Sequence, residues 1–447
     1  MMSQDTSTKP PSGMRDFLAP DVVRRRHVTS IVQRVYESFG FVPLETPAIE
    51  NLSSLLGKYG PEGDQLLYRI LHRRDKLVRA LEGSPREQDL AEEGLRYDLT
   101  VPLARVVANY RDLPAFYKRY AIQPVWRADR PAKGRFREFW QCDVDITGTR
   151  SLVADTEVCG AVAEALHQLG FSDFRILVNH RSLLRALVAR AGIGPNAESL
   201  ALIVLDKLDK IGADAVKQEL AQKGIAVSQT EALLEVLELS KQPGALAQFA
   251  AGEGPLATGA RELQELFANS KSGPAAAHLV FDPTLARGLG YYTGPIFEVT
   301  CAGLAGSIGG GGRYDNLVGM WKGQEVPAVG FSLGLERVLL IMTEREMFPP
   351  LAIGPQVLLC RMGDVQPATA IGVATALRAQ GLRVEVHADA PQLGKQLQYA
   401  NAIGAPFAAI LGANEVAAGT VSMKDLTSGV QAAVPIGEVA TWLSRPK

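Results

Sequence analysis

Two hydrophobic periods take turns along the chain. Over residues 21–39 apolar positions recur at helical spacing (Val22, Val23, Ile31, Val32, Val35, Phe39) until Gly40 stops them. The next stretch, FVPLETPAIE, alternates like a strand, but Pro43 and Pro47 remove ladder donors and place it at a sheet edge or an interface. Residues 79–94 are polar and show no evident chemistry. A helical stretch is predicted from Thr100 through Tyr110, with Pro102 in its first turn. The clearest period of two lies in FYKRYAIQPVWRADRPAKGRFREFWQCDVDITG, residues 116–148. Tyr120, Ile122 and Trp126, then Phe136, Trp140, Cys142, Val144 and Ile146, form apolar rows of two antiparallel strands joined by a short basic loop. The opposite face of the second strand carries Arg135, Arg137, Phe139, Gln141, Asp143 and Asp145. A Phe exposed among charges gains nothing from water, so this mixed face reads as a cleft that stacks a flat ring and pairs ions of both signs.

Beyond the hairpin, residues 151–181 read as a helix followed by the short strand FRILVN. Residues 182–275 are rich in Ala, Leu, Glu and Lys at helical spacing and form a helical insertion without strands. Gly192-Ile193-Gly194-Pro195-Asn196-Ala197 superficially fits a dinucleotide fingerprint, but no strand precedes it and Pro195 interrupts it. Three short stretches then crowd together: ARGLGYYTG, SIGGGGRYD and AVGFSLGLER. A glycine run by itself reads as a turn needing positive φ, and a Tyr pair as core filling. Arg337 is more telling. It falls in the first turn of its helix, where the macrodipole disfavours a cation by roughly 0.3–1 kcal/mol unless a polyanion is bound there. From Gly354 the strands VLLCRM, RVEVHA, FAAILG and TVSMKDL, the first three separated by helices, predict a separate α/β domain with a mostly parallel sheet.

Composition narrows the class. With 447 residues, 47% hydrophobic and 21% charged, at a formal net charge of −1, the chain is no polycation, so any nucleic-acid surface is a local patch. Cys142, Cys159, Cys301 and Cys360 lack zinc or redox spacing, and the six histidines lack metal spacing. Free thiols, a polar start without the apolar core of a signal peptide, and no run long enough to span a membrane predict a cytoplasmic enzyme. In LRYDLTVP, extended geometry puts Asp98 and Thr100 on one side. Thr100 reads as an N-cap as readily as a ligand, whereas Asp98 calls for a cationic partner.

In chain order, GMRDFLAPD, the proline-bearing first motif, LRYDLTVP, the hairpin, ARGLGYYTG, SIGGGGRYD and PAVGFSLGLERV together carry a resemblance. The chain resembles the histidyl-tRNA synthetases, a branch of the class II aminoacyl-tRNA synthetases. The resemblance implies an α+β catalytic domain on a six-stranded antiparallel sheet over residues 13–181 and 276–350. It further implies the insertion at 182–275 and an anticodon-binding α/β domain at 354–447, with residues 1–12 a disordered tail. A homodimer joined through the first motif would take L-histidine, ATP with Mg²⁺, and histidine tRNA, forming histidyl-adenylate first.

By resemblance Arg127, Arg287 and Arg337 are catalytic, and Arg127, Arg135, Phe139, Gly311 and Arg337 bind ATP. Asp98, Leu99, Thr100, Arg127, Gln141, Asp145, Arg287, Tyr291 and Tyr292 bind histidine, Asp145 and Tyr292 at the imidazole. The Mg²⁺ ligands are unassigned. Three positions depart from the family pattern: Gly290, where the family usually has Asp, Asp129, where Glu is common, and Ala132 in the loop. A different class of relative, the non-catalytic synthetase-like regulator or sensor of histidine or tRNA, is the alternative; it typically lacks the C-terminal domain and the ATP-contacting arginines.

Overall fold

A computed structural model describes residues 8–287, 290–303, 306–389 and 391–445. Residues 1–7 of the expected tail, and Gly288 and Leu289 of the ARGLGYYTG motif, lie outside the described residues. Two compact units divide the chain: one holds Arg25–Met347 with the described residues up to Asp16, the other Phe17–Arg24 and the chain from Phe348 onward.

The first unit is built on an eight-stranded sheet. Its strands are β1 (Val42–Pro43), β2 (Tyr117–Trp126), β3 (Glu138–Thr147), β4 (Phe174–His180), β5 (Leu279–Phe281), β6 (Pro295–Cys301), β7 (Gly309–Arg313) and β8 (Ala328–Gly334). Their order across the sheet is β1-β2-β3-β8-β7-β6-β4-β5. The expectation of a six-stranded antiparallel sheet is corrected here. Six central strands are antiparallel throughout, but β1 runs parallel to β2 at one edge and β5 parallel to β4 at the other, so the sheet is mixed. Both added strands are short, and a short strand is a usual way to close an otherwise open edge. The prolines of the first motif account for its brevity there. Only Val42–Pro43 joins the large sheet, while Ile49–Asn51 pairs with Ala91–Leu95 in a separate three-stranded sheet completed by Arg69–Leu71. The end of the polar stretch 79–94 is therefore a strand.

One face of the large sheet is covered by helices. Helix Ala19–Ser38 buries Val28, Ile31, Val32, Val35 and Tyr36, and the Tyr36 hydroxyl donates to the Cys142 carbonyl at 3.2 Å. Helix Leu152–Gln168 buries Val158, Cys159, Ala161, Val162, Ala165 and Leu166, and the Ser151 hydroxyl caps it from Val153 N–H. Stacked Phe297 and Phe331, with ring centroids 5.6 Å apart, fill the space beside Gly311. Between the sheet's halves the chain forms helices Arg181–Arg190, Pro195–Leu205, Leu208–Gln222, Val227–Ser240, Ala245–Ala250 and Gly254–Ser270, with no strand among the described residues. Gly194 is simply the residue before a helix that opens on Pro195.

The second unit holds β9 (Val357–Arg361), β10 (Val384–Val386), β11 (Phe407–Leu411), β12 (Thr420–Asp425) and β13 (Gln431–Pro435) in the order β10-β9-β11-β12-β13. The first three run parallel and the last two antiparallel, so this sheet is mixed rather than mostly parallel. The expectation lacked β13 because QAAVP alternates too weakly to be read as a strand.

Candidate active site

Register decides which side chains meet. In the hairpin, Arg119 pairs with Asp145, Ala121 with Asp143, Gln123 with Gln141 and Val125 with Phe139, so these eight share the face away from the helices. Strand β8 adds Gly330, Ser332 and Gly334 opposite Asp145, Asp143 and Gln141. Strands β7 and β6 extend the row with Gly310 beside Glu298 and Gly312 beside Ile296. Arg135 and Arg137 belong to the loop instead, because β3 begins only at Glu138.

The glycine strand is a bare floor. A Cβ on Gly310 would lie 2.6 Å from Cζ and both Nη atoms of Arg287, so that guanidinium rests flat on the strand. Arg287 Nη1 donates to Glu298 Oε2 at 2.7 Å. A Cβ on Gly312 would meet the Tyr292 ring at 2.9 Å. Gly311, expected at the nucleotide, points the other way: its Cβ would strike the Gly330 carbonyl at 2.1 Å, within the sheet. Only its backbone is open to a ligand role.

Three further arginines sit at the hairpin's loop end. Arg127 follows β2 directly; its Nε donates to the Tyr97 carbonyl at 3.0 Å, and its guanidinium lies 4.2 Å from the Tyr97 ring centroid and 5.1 Å from that of Phe139. Arg135 reaches back to Asp129 at 2.7 Å and closes the loop, where Ala132 and Arg135 form a bridge. Arg337 is the third residue of helix Leu335–Glu344, and its Nη1 donates to the Ser307 carbonyl. Burial and the neighbouring Arg135 both disfavour the charge on Arg337. Two cations held side by side near a helix N-terminus form a site for a polyanion. Arg137 braces the loop: Nε donates to the Asp129 carbonyl, Nη1 to Ser12, and its backbone N–H to Gly13. Ser12, expected in the disordered tail, is thus held.

At the other end lie buried acceptors. Asp98 accepts from Val101 N–H at 3.0 Å and from the Tyr59 hydroxyl at 3.1 Å on Oδ1, and faces the Tyr291 hydroxyl at 3.5 Å on Oδ2. This corrects the reading of Thr100 as the N-cap. Helix Thr100–Asn109 has Leu99 at its N-cap and Thr100 as its first residue, and Asp98 supplies the capping oxygen. Burial raises the Asp98 carboxyl, opposed by the Val101 N–H and by Arg127. Gln141 donates to Ser332 Oγ at 2.8 Å. Asp145 is 2% exposed; it accepts from the Tyr314 hydroxyl and pairs with Arg119 at 2.8 Å. Arg119, wholly buried, also donates to the Leu99 carbonyl at 2.9 Å. Tyr291 packs against Tyr292 with ring centroids 4.9 Å apart.

The expected residues Asp98, Gln141, Asp145, Tyr291, Tyr292, Arg127, Phe139 and Arg287 thus line one sheet face, with Leu99 and Thr100 at the helix that borders it. Sequence reasoning missed Tyr59, Arg119, Tyr314, Glu298 and Ser332. The period of two in β2 was the available signal for Arg119, since its odd positions face the same side as Asp145.

The family model described as histidyl-tRNA synthetase matches residues 13–338, and that described as anticodon binding domain matches residues 356–445. The histidine–tRNA ligase of Cytophaga hutchinsonii is 41% identical, covering 96% of this chain and 98% of its own. That of Gloeobacter violaceus is 39% identical, with coverage of 95% and 96%. The crystal structure of histidyl-tRNA synthetase from Nostoc sp. PCC 7120 superposes with a TM-score of 0.77 at 32% identity, over 98% of this chain and 99% of that one.

Proposed function

The chain belongs to the histidyl-tRNA synthetase family, and on that premise we propose how its residues carry the family's reaction. Histidine and ATP give histidyl-adenylate and pyrophosphate, and the histidyl group then passes to the 3′-terminal ribose of histidine tRNA with release of AMP. The first step brings a carboxylate to a phosphate, so catalysis consists of holding two anions together and neutralising the charge that develops between them. Arg127 holds the α-phosphate and the substrate carboxylate, and Arg287 stabilises the transition state from the glycine strand. Arg337 and Arg135 take the outer phosphates. Adenine stacks on Phe139, where Arg127 already lies within cation–π distance. Each arginine is held before the nucleotide arrives, Arg287 by Glu298, Arg135 by Asp129 and Arg337 by the Ser307 carbonyl. Preorientation of this kind lowers the cost of binding.

Asp98, Thr100, Gln141 and Tyr291 receive the α-ammonium, and Asp145 with Tyr292 reads the imidazole, whose neutral ring offers one donor and one acceptor. Buried polar groups left unpaired by a wrong side chain reject it without editing, by about 10⁴–10⁵ in sites of this type. Leu99 and Gly311 contribute backbone. Among the described residues no three His, Cys, Asp or Glu side chains cluster as a metal site. A Mg²⁺ held chiefly by the ATP phosphates would supply charge neutralisation at the pyrophosphate.

We assign residues 13–181 and 276–350 to catalysis, 182–275 to a helical insertion and 354–447 to the anticodon. The subunits pair through the first motif, whose Val42 and Ile49 are exposed. No helix among the described residues is long and apolar enough to cross a membrane.

The observation that carries this reading is the convergence of Arg127, Arg287 and Phe139 with buried acceptors Asp98 and Gln141 on one sheet face. The test is charging of purified histidine tRNA with labelled histidine and ATP. Acid-stable, base-labile label on the tRNA supports it; histidine binding without charging would instead make the chain a sensor.

A further inference from the structure

We propose that Asp143 is a substrate-binding residue that, with the Gln141 carbonyl, seats the α-ammonium of the amino acid. The proposal deepens the reading above and rests on it. Asp143 is 2% exposed and lies on the arginine-bearing face between two small neighbours in register, Ala121 on β2 and Ser332 on β8. Among the described residues its Oδ1 has no hydrogen-bond partner, and neither does Oε1 of Gln141, two residues away on the same face. A buried acceptor without a partner is costly, and two adjacent ones on a ligand-facing surface call for a donor that arrives with the ligand.

Ser332 sets the orientation. Its Oγ accepts from Gln141 Nε2 at 2.8 Å, and its hydroxyl donates to the Asp143 carboxylate. The Gln141 amide is thereby turned with Oε1 outward. The charges agree with this arrangement. Asp98, Asp143 and Asp145 face one another, and the buried cation among them, Arg119, uses its Nη2 for both Asp145 and the Leu99 carbonyl. Burial, with Asp145 and Asp98 nearby and Arg119 and the Ser332 hydroxyl opposing, pushes the Asp143 carboxyl up to about 7. An incoming ammonium supplies the missing positive charge; its three N–H donors match Asp98, Gln141 Oε1 and Asp143 Oδ1, and the Thr100 and Tyr291 hydroxyls close the pocket around them.

The test is a ligand-by-residue cycle on the full chain, measuring competition with histidine in ATP–pyrophosphate exchange. The two probes are histidinol, which keeps the ammonium, and 4-imidazolepropanol, which lacks it. Asp143→Asn should weaken histidinol by roughly 10- to 100-fold, the scale of a hydrogen bond to a charged group, and the des-amino probe by less than about threefold. KM for ATP should be unchanged. Equal weakening of both probes, or of neither, overturns the proposal. Asp143→Ser is read in the same way should the Asn variant fail to bind ATP. Absence of histidine-dependent exchange in the unsubstituted chain would be a failure of the parent reading instead, and is recorded before any variant is made.

Discussion

Gly310→Ala separates catalysis from stability. The new Cβ would stand 2.6 Å from the Arg287 guanidinium carbon and both its terminal nitrogens. Ordinary contact begins near 3.4 Å, so the guanidinium must lift by roughly 0.8 Å off the strand. It is the far end of a flexible side chain, held by side chains (Glu298 and the Tyr292 hydroxyl) and 20% exposed, so it can move without disturbing the backbone. The stability change should stay within about 1 kcal/mol, since alanine also removes some of glycine's freedom in the unfolded chain. The transition state is less tolerant. A displacement approaching 1 Å in a positioned catalytic group costs on the order of 10²-fold in rate, or about 2.7 kcal/mol of barrier.

The control is one residue along. At Gly311 an alanine Cβ would meet the Gly330 carbonyl oxygen at 2.1 Å and Phe331 Cα at 2.7 Å, both backbone atoms of β8 that cannot swing aside. Overpacking there should cost about 1–3 kcal/mol or more. Rapid-quench formation of adenylate and thermal melting would be measured on both variants. The expectation is a slow, stable Gly310→Ala chain and an unstable Gly311→Ala chain. A Gly310→Ala chain that forms adenylate at the unsubstituted rate, or melts as early as the other, refutes the placement of Arg287.

Other perturbations follow from the same geometry. Arg287→Ala should collapse adenylate formation while histidine affinity stays near normal, and a normal burst of adenylate would rule out its role. Asp145→Asn leaves Arg119 buried with less compensation, so by analogy with broken buried pairs it should lose about 3–5 kcal/mol of stability and histidine activation far more than ATP binding; unchanged exchange would contradict this. Asp129→Asn releases Arg135 from a half-exposed pair, so KM for ATP should fall by no more than about fivefold, whereas Arg135→Ala should raise it; identical shifts in both would deny that the pair competes with the nucleotide. Burial raises Asp143 to about 7, so the folded chain keeps a proton there that an unfolded carboxyl, at about 3.9, has released. Its contribution to stability therefore declines as pH rises from about 4 to 7, and Asp143→Asn should gain stability relative to the parent chain over that window. A difference in melting temperature that does not vary between pH 5 and 7.5 would remove the shift.

Much of this site could be read along the chain because its chemistry is periodic. Phe139, Gln141, Asp143 and Asp145 are spaced by two, and β3 needs only that spacing to present them on one face. What could not be read depends on partners remote in sequence. Asp98 looked like a carboxylate in want of a cation, and Arg127 and Arg119 do act on its charge, but the Val101 amide three residues on and the Tyr59 hydroxyl, which occupy Oδ1, could not be read. Arg119 and Tyr314 come to Asp145 from two different strands or their ends, and no local pattern announces that they converge. The prolines did place the first motif at a sheet edge, but the parallel pairing of both edge strands was missed for a related reason. Val42–Pro43 and Leu279–Phe281 are too short to show a period, and their parallel pairing is set by where the chain returns. Arg135 and Arg137 continued the alternation of β3 in sequence, but the ladder ends at Glu138 and both serve the loop.

ATP–pyrophosphate exchange with each of the twenty amino acids tests the central assignment most directly. Acceptors built for one ammonium and one imidazole, beside arginines built for ATP, predict exchange with histidine alone. Exchange with another amino acid at a comparable rate, or with none, would contradict it.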